Sequence, residues 1–369
     1  GGVSFFHKSR IEEKKMEMKF EARSDLKEKP QGALGFGKYY TDYMAVVDYD
    51  EDQGGFHDAR IVPFGPIELN PASMVLHYAQ ETFEGLKAYK TKDGRILLFR
   101  PEKNAARFAN SNDRLSMPKV SEEMFIGAIE ELVKLEKDWI PTGEGESLYI
   151  RPYMFATEAQ VGVHPAKSYK FMVICSPVGA YYPEGVAPVK IWVEDEYVRA
   201  APGGTGFTKC GGNYAGSLKA QEKAEAHGYT QVLWLDGVNR KYVEEVGSMN
   251  VMFVIDNKIY TAPIEGTVLP GVTRDSILHI LKDWGYEIHE EHLAIEDLMQ
   301  AAREGRLQEA FGTGTAAVVS PVGELCYKGE KAVINNFETG PLTQKVYDTL
   351  TGIQWGDLED KYGWTREVK

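Results

Sequence analysis

Apolar residues recur along this chain in two rhythms. Behind Ser121, a residue suited to capping, Phe125, Ile129, Leu132 and Val133 fall at helical spacing and predict a helix over 121–134. Short apolar runs predict strands at Arg95–Phe99, introduced by the turn signal Asp93-Gly94, and at Tyr169–Cys175 and Lys190–Val198. Further on, Gln231–Asp236 and Asn250–Ile255 read as strands, with Asp256-Asn257-Lys258 as a hairpin turn into Ile259–Ala262. Two helices are interleaved with them: Tyr214–His227, closed by Gly228, and Asp275–Trp284, closed by Gly285. Irregular alternation of this kind predicts an α+β fold rather than a βαβ repeat.

The 369 residues suggest two domains at about 150 residues each. Three prolines and two glycines crowd residues 176–188 between two strand patterns. The expected division is therefore a small domain over 20–180, a linker at 181–188 and a larger domain over 189–369. Residues 1–19 are charged, lack a sustained pattern and are expected to be in part a cloning remnant, outside the fold argument.

Composition narrows the function. With 43% hydrophobic and 26% charged residues the chain is globular, and 42 basic against 55 acidic residues leave a net charge of −13. That field repels phosphate, which argues against a broad nucleic-acid or anionic-membrane surface while leaving room for a local anion site. The longest clean apolar run, Val251–Ile255, is far below the ~20 residues of a spanning helix. No charged stretch followed by an apolar one opens the chain, and Cys175, Cys210 and Cys326 make an odd count without CxxC spacing. A cytoplasmic protein without disulfides or structural zinc is expected.

HExxH, GxSxG and GxGxxG are absent, and the eight histidines show no metal-ligand spacing. Gly32-Ala-Leu-Gly-Phe-Gly-Lys38 matches the glycine and lysine spacing of a phosphate loop. Tyr39 stands where a magnesium-binding hydroxyl is needed and no buried strand precedes the segment, so the match is read as chance.

The unusual stretch is Gly203-Gly-Thr-Gly-Phe-Thr-Lys209-Cys-Gly-Gly-Asn-Tyr214, where glycines and a helix start surround one lysine. From composition alone it is a mobile loop with a solvated lysine; the alternative is a lysine held against a cofactor carbonyl. Such a lysine must lose its proton to attack, which needs a shielded or electropositive site. Three further segments favour that alternative. Leu269–Arg274 places Thr273 as the expected N-cap of a helix whose first N–H groups could hold a phosphate monoester. Gly312–Ala316 offers a second Gly/Thr turn. Glu244-Glu245 sets two carboxylates beside an apolar strand, so one faces inward and needs a structural Arg or a protonated ring nitrogen as partner.

Seven ordered blocks then make the sequence familiar: Leu76–Lys87, Phe99–Asn104, Leu148–Pro152, Lys209–Tyr214, Glu245–Asn250, Leu269–Arg274 and Phe311–Ala316. From about Phe20 to the C-terminal region it resembles the branched-chain amino acid aminotransferases, fold-type-IV pyridoxal-phosphate enzymes. The resemblance implies a small α/β domain plus a larger pseudo-barrel α+β domain, with pyridoxal 5'-phosphate and substrate between them. It implies a homodimer in which part of the pocket is supplied in trans. The activity implied is ping-pong transfer of the amino group of leucine, isoleucine or valine to 2-oxoglutarate.

On this resemblance Lys209 would be the Schiff-base lysine and proton shuttle, Glu245 would pair with the pyridinium nitrogen, and Tyr214 would hydrogen-bond the ring 3′-oxygen. Arg100, the N–H groups of Val272 and Thr273, and Thr315 would hold the phosphate. Phe83, Tyr78 and Tyr181 would wall an apolar side-chain pocket. The Thr315–Ala316 turn and the Tyr78 hydroxyl would take the α-carboxylate; Arg151, supported by Tyr149, would take the second carboxylate of glutamate. Ala317 and Ser320 stand where some animal members carry a redox-sensitive CxxC, so thiol regulation there is not expected, and Cys210 is given no catalytic role. The rival readings are a D-amino acid aminotransferase or an aminodeoxychorismate lyase on the same fold, and a catalytically silent pyridoxal-phosphate carrier.

Overall fold

A computed structural model describes residues 17–369; residues 1–16, most of the N-terminal extension, lie outside the described residues. Two nine-stranded sheets organise the chain. The first has the order Lys19–Phe20, Gly55–Pro63, Tyr43–Asp50, Ser168–Val178, Ser147–Ala156, Leu86–Lys90, Ile96–Phe99 and Thr365–Val368, with Glu81–Phe83 also paired to Ser147–Ala156. Helices Pro101–Arg114 and Glu122–Leu135 bury one of its faces, where Phe108 lies 5.4 Å from Phe125 and 5.7 Å from Phe171. The second helix starts as its sequence requires: Met124 N–H donates to the Ser121 hydroxyl at 3.1 Å.

In the second sheet Val243–Val246, Gln231–Leu235, Val189–Glu194, Val318–Tyr327, Leu307–Gly314 and Met249–Ile255 follow one another, and the last pairs back to the first. The result is a closed six-stranded barrel, which removes free edges from those strands. Phe253, Leu233, Val251 and Ile191 fill it together with side chains of the Ile295–Arg303 helix. The Val272–Asp283 and Pro341–Gln354 helices cover its flank, packing with Tyr89, Phe99 and Trp364 into a core shared with the first sheet. Asp256 and Asn257, both at positive φ, form the two-residue turn between Met249–Ile255 and Lys258–Thr261.

Some elements differ from the sequence pattern for local reasons. The expected Tyr214–His227 helix is two pieces, Gly211–Ala215 and Leu218–Ala226, because Gly216 intervenes and the Ser217 hydroxyl donates to Tyr214 O at 2.6 Å. Val189–Glu194 ends before Val198, where Glu196 and its neighbours turn out to solvent. Thr273 is not the N-cap of its helix. Gly271 caps it from an extended conformation, and Val272 is the first helical residue. A strand also returns from the end of the chain: Thr365–Val368 pairs antiparallel with Ile96–Phe99 of the first sheet.

Candidate active site

Lys209 sits where the two halves meet. Its backbone N–H donates to Ser111 Oγ at 3.0 Å, and its carbonyl accepts from Phe83 N–H at 3.0 Å. Both clamps come from the first half, so the lysine is fixed from across the cleft. The ammonium nitrogen donates to the Tyr214 hydroxyl at 2.9 Å and lies 4.8 Å from the Phe83 ring centre. Burial lowers its pKa to about 7, Arg107 and Arg151 push the same way, and Glu84 and Glu245 oppose them. Near neutral pH a large share of Lys209 is therefore the free amine that attack on a carbonyl requires. The Tyr214 hydroxyl is pushed up, chiefly by burial and the Glu245 charge, and stays a proton donor.

At one end of the cleft a helix start and a buried arginine come together. Gly271 contributes no side-chain cap to the Val272–Asp283 helix, so its first N–H groups lack that partner. A Cβ on Gly271 would meet Asn250 Oδ1 at 2.1 Å; glycine there lets Asn250 Nδ2 donate to Leu269 O at 2.9 Å. Arg100 is buried beside this helix, donating to Ser276 Oγ at 2.7 Å and pairing with Asp275 at 2.8 Å. Its Nε is buried without a partner among the described residues. Val272, Thr273 and Thr315 line one small cavity, and Thr315 also borders the main cleft.

Glu245 is buried and accepts from Leu269 N–H at 2.8 Å, with Arg199 Nε 3.4 Å from its other oxygen. Burial raises its pKa and Arg199 opposes that. Glu244 is buried as well, so both carboxylates of the pair are shielded rather than one. Register explains the grouping: Glu245 stands opposite Asn250, and Asn250 opposite Thr313, at one end of the barrel.

The main cleft has a volume of about 250 Å³ and is walled by Phe83, Tyr149, Arg151, Tyr181, Lys209, Tyr214, Thr315 and Ala316, together with Phe36, Ser248 and Met249. An adjoining cavity of about 320 Å³ reaches Glu245 and shares Tyr214 and Ser248 with it. Gly85 is needed here, since a Cβ would meet the Tyr149 hydroxyl at 2.1 Å. Arg151 donates to that hydroxyl at 3.0 Å and to the Glu84 carbonyl at 3.0 Å, and its guanidinium lies 4.6 Å from the Phe83 ring centre. One polar and cationic end therefore faces a largely apolar wall.

Tyr78 is the exception among the expected site residues. It is 41% exposed, its hydroxyl donates to Val161 O, and it does not border the cleft of its own chain. Phe36 and Met249 of the cleft wall were not singled out from the sequence, and neither were four residues that hold the site. Ser111 holds Lys209, Arg199 faces Glu245, and Glu84 and Arg107 form a buried two-point ion pair (2.7 and 2.9 Å) behind the lysine. Only Arg199 left a trace, since an inward carboxylate demands a cation. Among the described residues no group of three or more His, Cys, Asp or Glu side chains could hold a metal ion.

A shielded amine, a helix start without a side-chain cap and a buried carboxylate around one cleft are what an enzyme working on carbonyls with a phosphorylated cofactor needs. The chain belongs to the amino-transferase class IV family, whose pattern it matches over residues 81–325. It is 57% identical to a probable branched-chain-amino-acid aminotransferase of Staphylococcus epidermidis over 95% of this chain and 98% of that protein. The crystal structure of the Escherichia coli branched-chain amino acid aminotransferase superposes with a TM-score of 0.74 at 28% identity, covering 89% of this chain and 99% of that one. The T.th. enzyme of the same name, solved with N-(5'-phosphopyridoxyl)-L-glutamate, gives 0.70 at 29% identity over 88% and 99%.

Proposed function

We propose that this protein is a pyridoxal-phosphate-dependent transaminase that moves the amino group of L-leucine, L-isoleucine or L-valine to 2-oxoglutarate. The observation that carries the reading is Lys209, an amine held near a pKa of 7 and 2.9 Å from Tyr214, with a helix start on one side and Glu245 on the other. The orphaned Arg100 Nε and the uncapped helix start fit a phosphate. Thr315, Val272 and Thr273 complete that cradle. Pyridoxal phosphate, when bound, supplies the carbonyl that takes up the amino group and a ring that accepts electrons.

The residues then divide the work. Lys209 would hold the cofactor at its carbonyl carbon and, once free, its amine would take the proton from the substrate Cα. Glu245 would pair with the ring nitrogen and keep it protonated, and Tyr214 would donate to the ring oxygen. Phe83, Tyr181 and Phe36 offer apolar contact to a branched side chain, while Thr315 and Ala316 N–H groups receive the α-carboxylate. Arg151, steadied by Tyr149, receives the second carboxylate of glutamate. The named relatives favour this reading over the D-amino acid and lyase siblings and over a silent carrier.

The working unit in this proposal is a homodimer. Leu76, Tyr78, Val161 and Val163 form an apolar patch exposed by 58, 41, 70 and 77%, which a second copy would cover. Tyr78 would then reach the partner's pocket. Three unpaired, buried cysteines suit a reducing cytoplasm, and among the described residues no helix is long and apolar enough to cross a membrane.

The test is the absorbance of the protein loaded with pyridoxal phosphate. L-leucine should convert the visible band to the pyridoxamine form and 2-oxoglutarate should restore it, and Lys209→Ala should abolish both changes. A band that L-leucine leaves untouched would overturn the assignment.

A further inference from the structure

Lys87 has no part in the chemistry above, yet it is one of the few buried cations in the protein. It lies on the Leu86–Lys90 strand opposite Tyr149, only 6% exposed. Burial alone pulls its ammonium down, to about 8, and no carboxylate among the described residues offsets it. Its hydrogen bond crosses 229 positions of sequence to reach the carbonyl of Ala316, at 3.1 Å. A buried charge without an opposite charge is costly. Where such a cation persists, a ligand that brings the missing charge is the natural complement.

A second observation concerns the same turn. Thr315–Ala317 connects the paired strands Leu307–Gly314 and Val318–Tyr327, whose last facing residues are Gly314 and Val318. Val318, buried and β-branched, takes φ +67°, a region such side chains rarely enter. The turn is thus held against local preference, which requires tertiary contacts that over-determine it. Lys87 supplies one: by fixing the Ala316 carbonyl it fixes the plane of the peptide to Ala317, the unit next to the Ala316 N–H proposed for the carboxylate. Thr315, Ala316 and Ala317 all border the cleft, while Lys87 shares the small cavity behind it with Thr315, Val272 and Thr273, the residues proposed for the phosphate.

We propose that Lys87 is a positioning residue for the substrate carboxylate: its ammonium holds the Thr315–Val318 turn from behind and supplies the counter-charge there without touching the substrate. The proposal rests on the transaminase reading, in which that turn receives the carboxylate. It differs from Arg151, whose guanidinium lies in the cleft itself. The counter-charge serves amino acid and oxo acid alike, since both carry a carboxylate next to the reacting carbon.

The experiment uses holoenzyme of the parent protein, Lys87→Met and Lys87→Arg. Binding of 4-methylpentanoate is compared with that of the uncharged 4-methylpentanamide by competition against L-leucine, and KM and kcat are followed separately. Lys87→Met should weaken the carboxylate by about tenfold or more while leaving the amide within about twofold. It should raise KM for both substrates more than it lowers kcat. Lys87→Arg should recover most of the loss, and the visible band should remain in all three proteins. Equal weakening of carboxylate and amide, or no weakening of either, overturns the role for Lys87. A parent holoenzyme with no response to L-leucine overturns the transaminase reading instead, and the proposal falls with it.

Discussion

The Glu84–Arg107 pair offers the sharpest test of how the site is held together. The two side chains meet at 2.7 and 2.9 Å with almost no exposure, 0% for Glu84 and 7% for Arg107. At an effective dielectric of ~20 and a charge separation of about 4 Å, their attraction is about 4 kcal/mol. Arg107→Met removes that attraction and leaves Glu84 a buried anion with Asn104 as its remaining side-chain donor at 2.9 Å. The variant should therefore lose about 3–5 kcal/mol in urea unfolding. Arg107 also donates to Pro270 O at 3.3 Å, just before the helix start proposed for the phosphate, so affinity for pyridoxal phosphate should fall as well. The double variant Glu84→Gln/Arg107→Met removes both charges and should recover more than half of the loss. The electrostatic consequence has a definite sign. Arg107 holds the Lys209 pKa down and Glu84 holds it up, so the single variant should raise that pKa and the double variant should bring it back toward the parent. The pH dependence of pyridoxal phosphate uptake by the apoprotein reads this directly. A single variant that loses less than about 1 kcal/mol, or a double variant no more stable than the single, would refute the reasoning.

Other expectations follow from the same geometry. In the parent, cofactor uptake by the apoprotein should rise with pH and reach half its maximum near the Lys209 value of about 7, as measured by the growth of the visible band in stopped flow. Ser111→Ala leaves the Lys209 backbone N–H without its 3.0 Å acceptor; it should cost about 1–2 kcal/mol in stability and lower kcat more than it changes KM, with Ser111→Thr restoring part of both. Glu136 is buried next to Asp42 and accepts from Tyr43 N–H, and burial raises its pKa to about 7. The folded state then binds the proton more tightly than the unfolded one, so the stability it contributes is present below pH ~4.5 and is lost as pH rises through about 7. Glu136→Gln should flatten that part of the stability profile in urea melts at pH 5 and pH 8.

What the sequence made legible was what lies close together along the chain. The Ser121 cap and the Asp256-Asn257 turn are each written in a few adjacent residues and formed locally, and the glycines that frame Lys209 also stand beside it in sequence. Fold and family could be read because seven such blocks occur in one order. Partners far apart left no comparable mark. Ser111 and Lys209 are separated by 98 positions, and neither residue type announces the other. Closure of the barrel depends on Val243–Val246 pairing with both of its neighbours, which no pattern of alternation specifies. Thr273 shows a finer limit: a good capping residue sits two positions too late because Asn250, far off in sequence, leaves room only for glycine at the cap. Tyr78 shows another, since a residue can belong to a motif and still face away from the cleft of its own chain.

The returning strand at Thr365–Val368 bears on how the protein folds. Two halves strung on a single linker can form and melt one at a time. Here the outer strand of the first sheet follows the barrel and its covering helices in sequence, and Arg100 N–H closes the link by donating to Trp364 O at 2.8 Å. Contacts of such long range are slow to form and bind the parts into one cooperative event. Heating or urea should therefore melt cleft, sheet and barrel together in a single transition. A half-folded species with an assembled lysine pocket has no place on that path, and the ability to hold cofactor should appear only in the last phase of refolding.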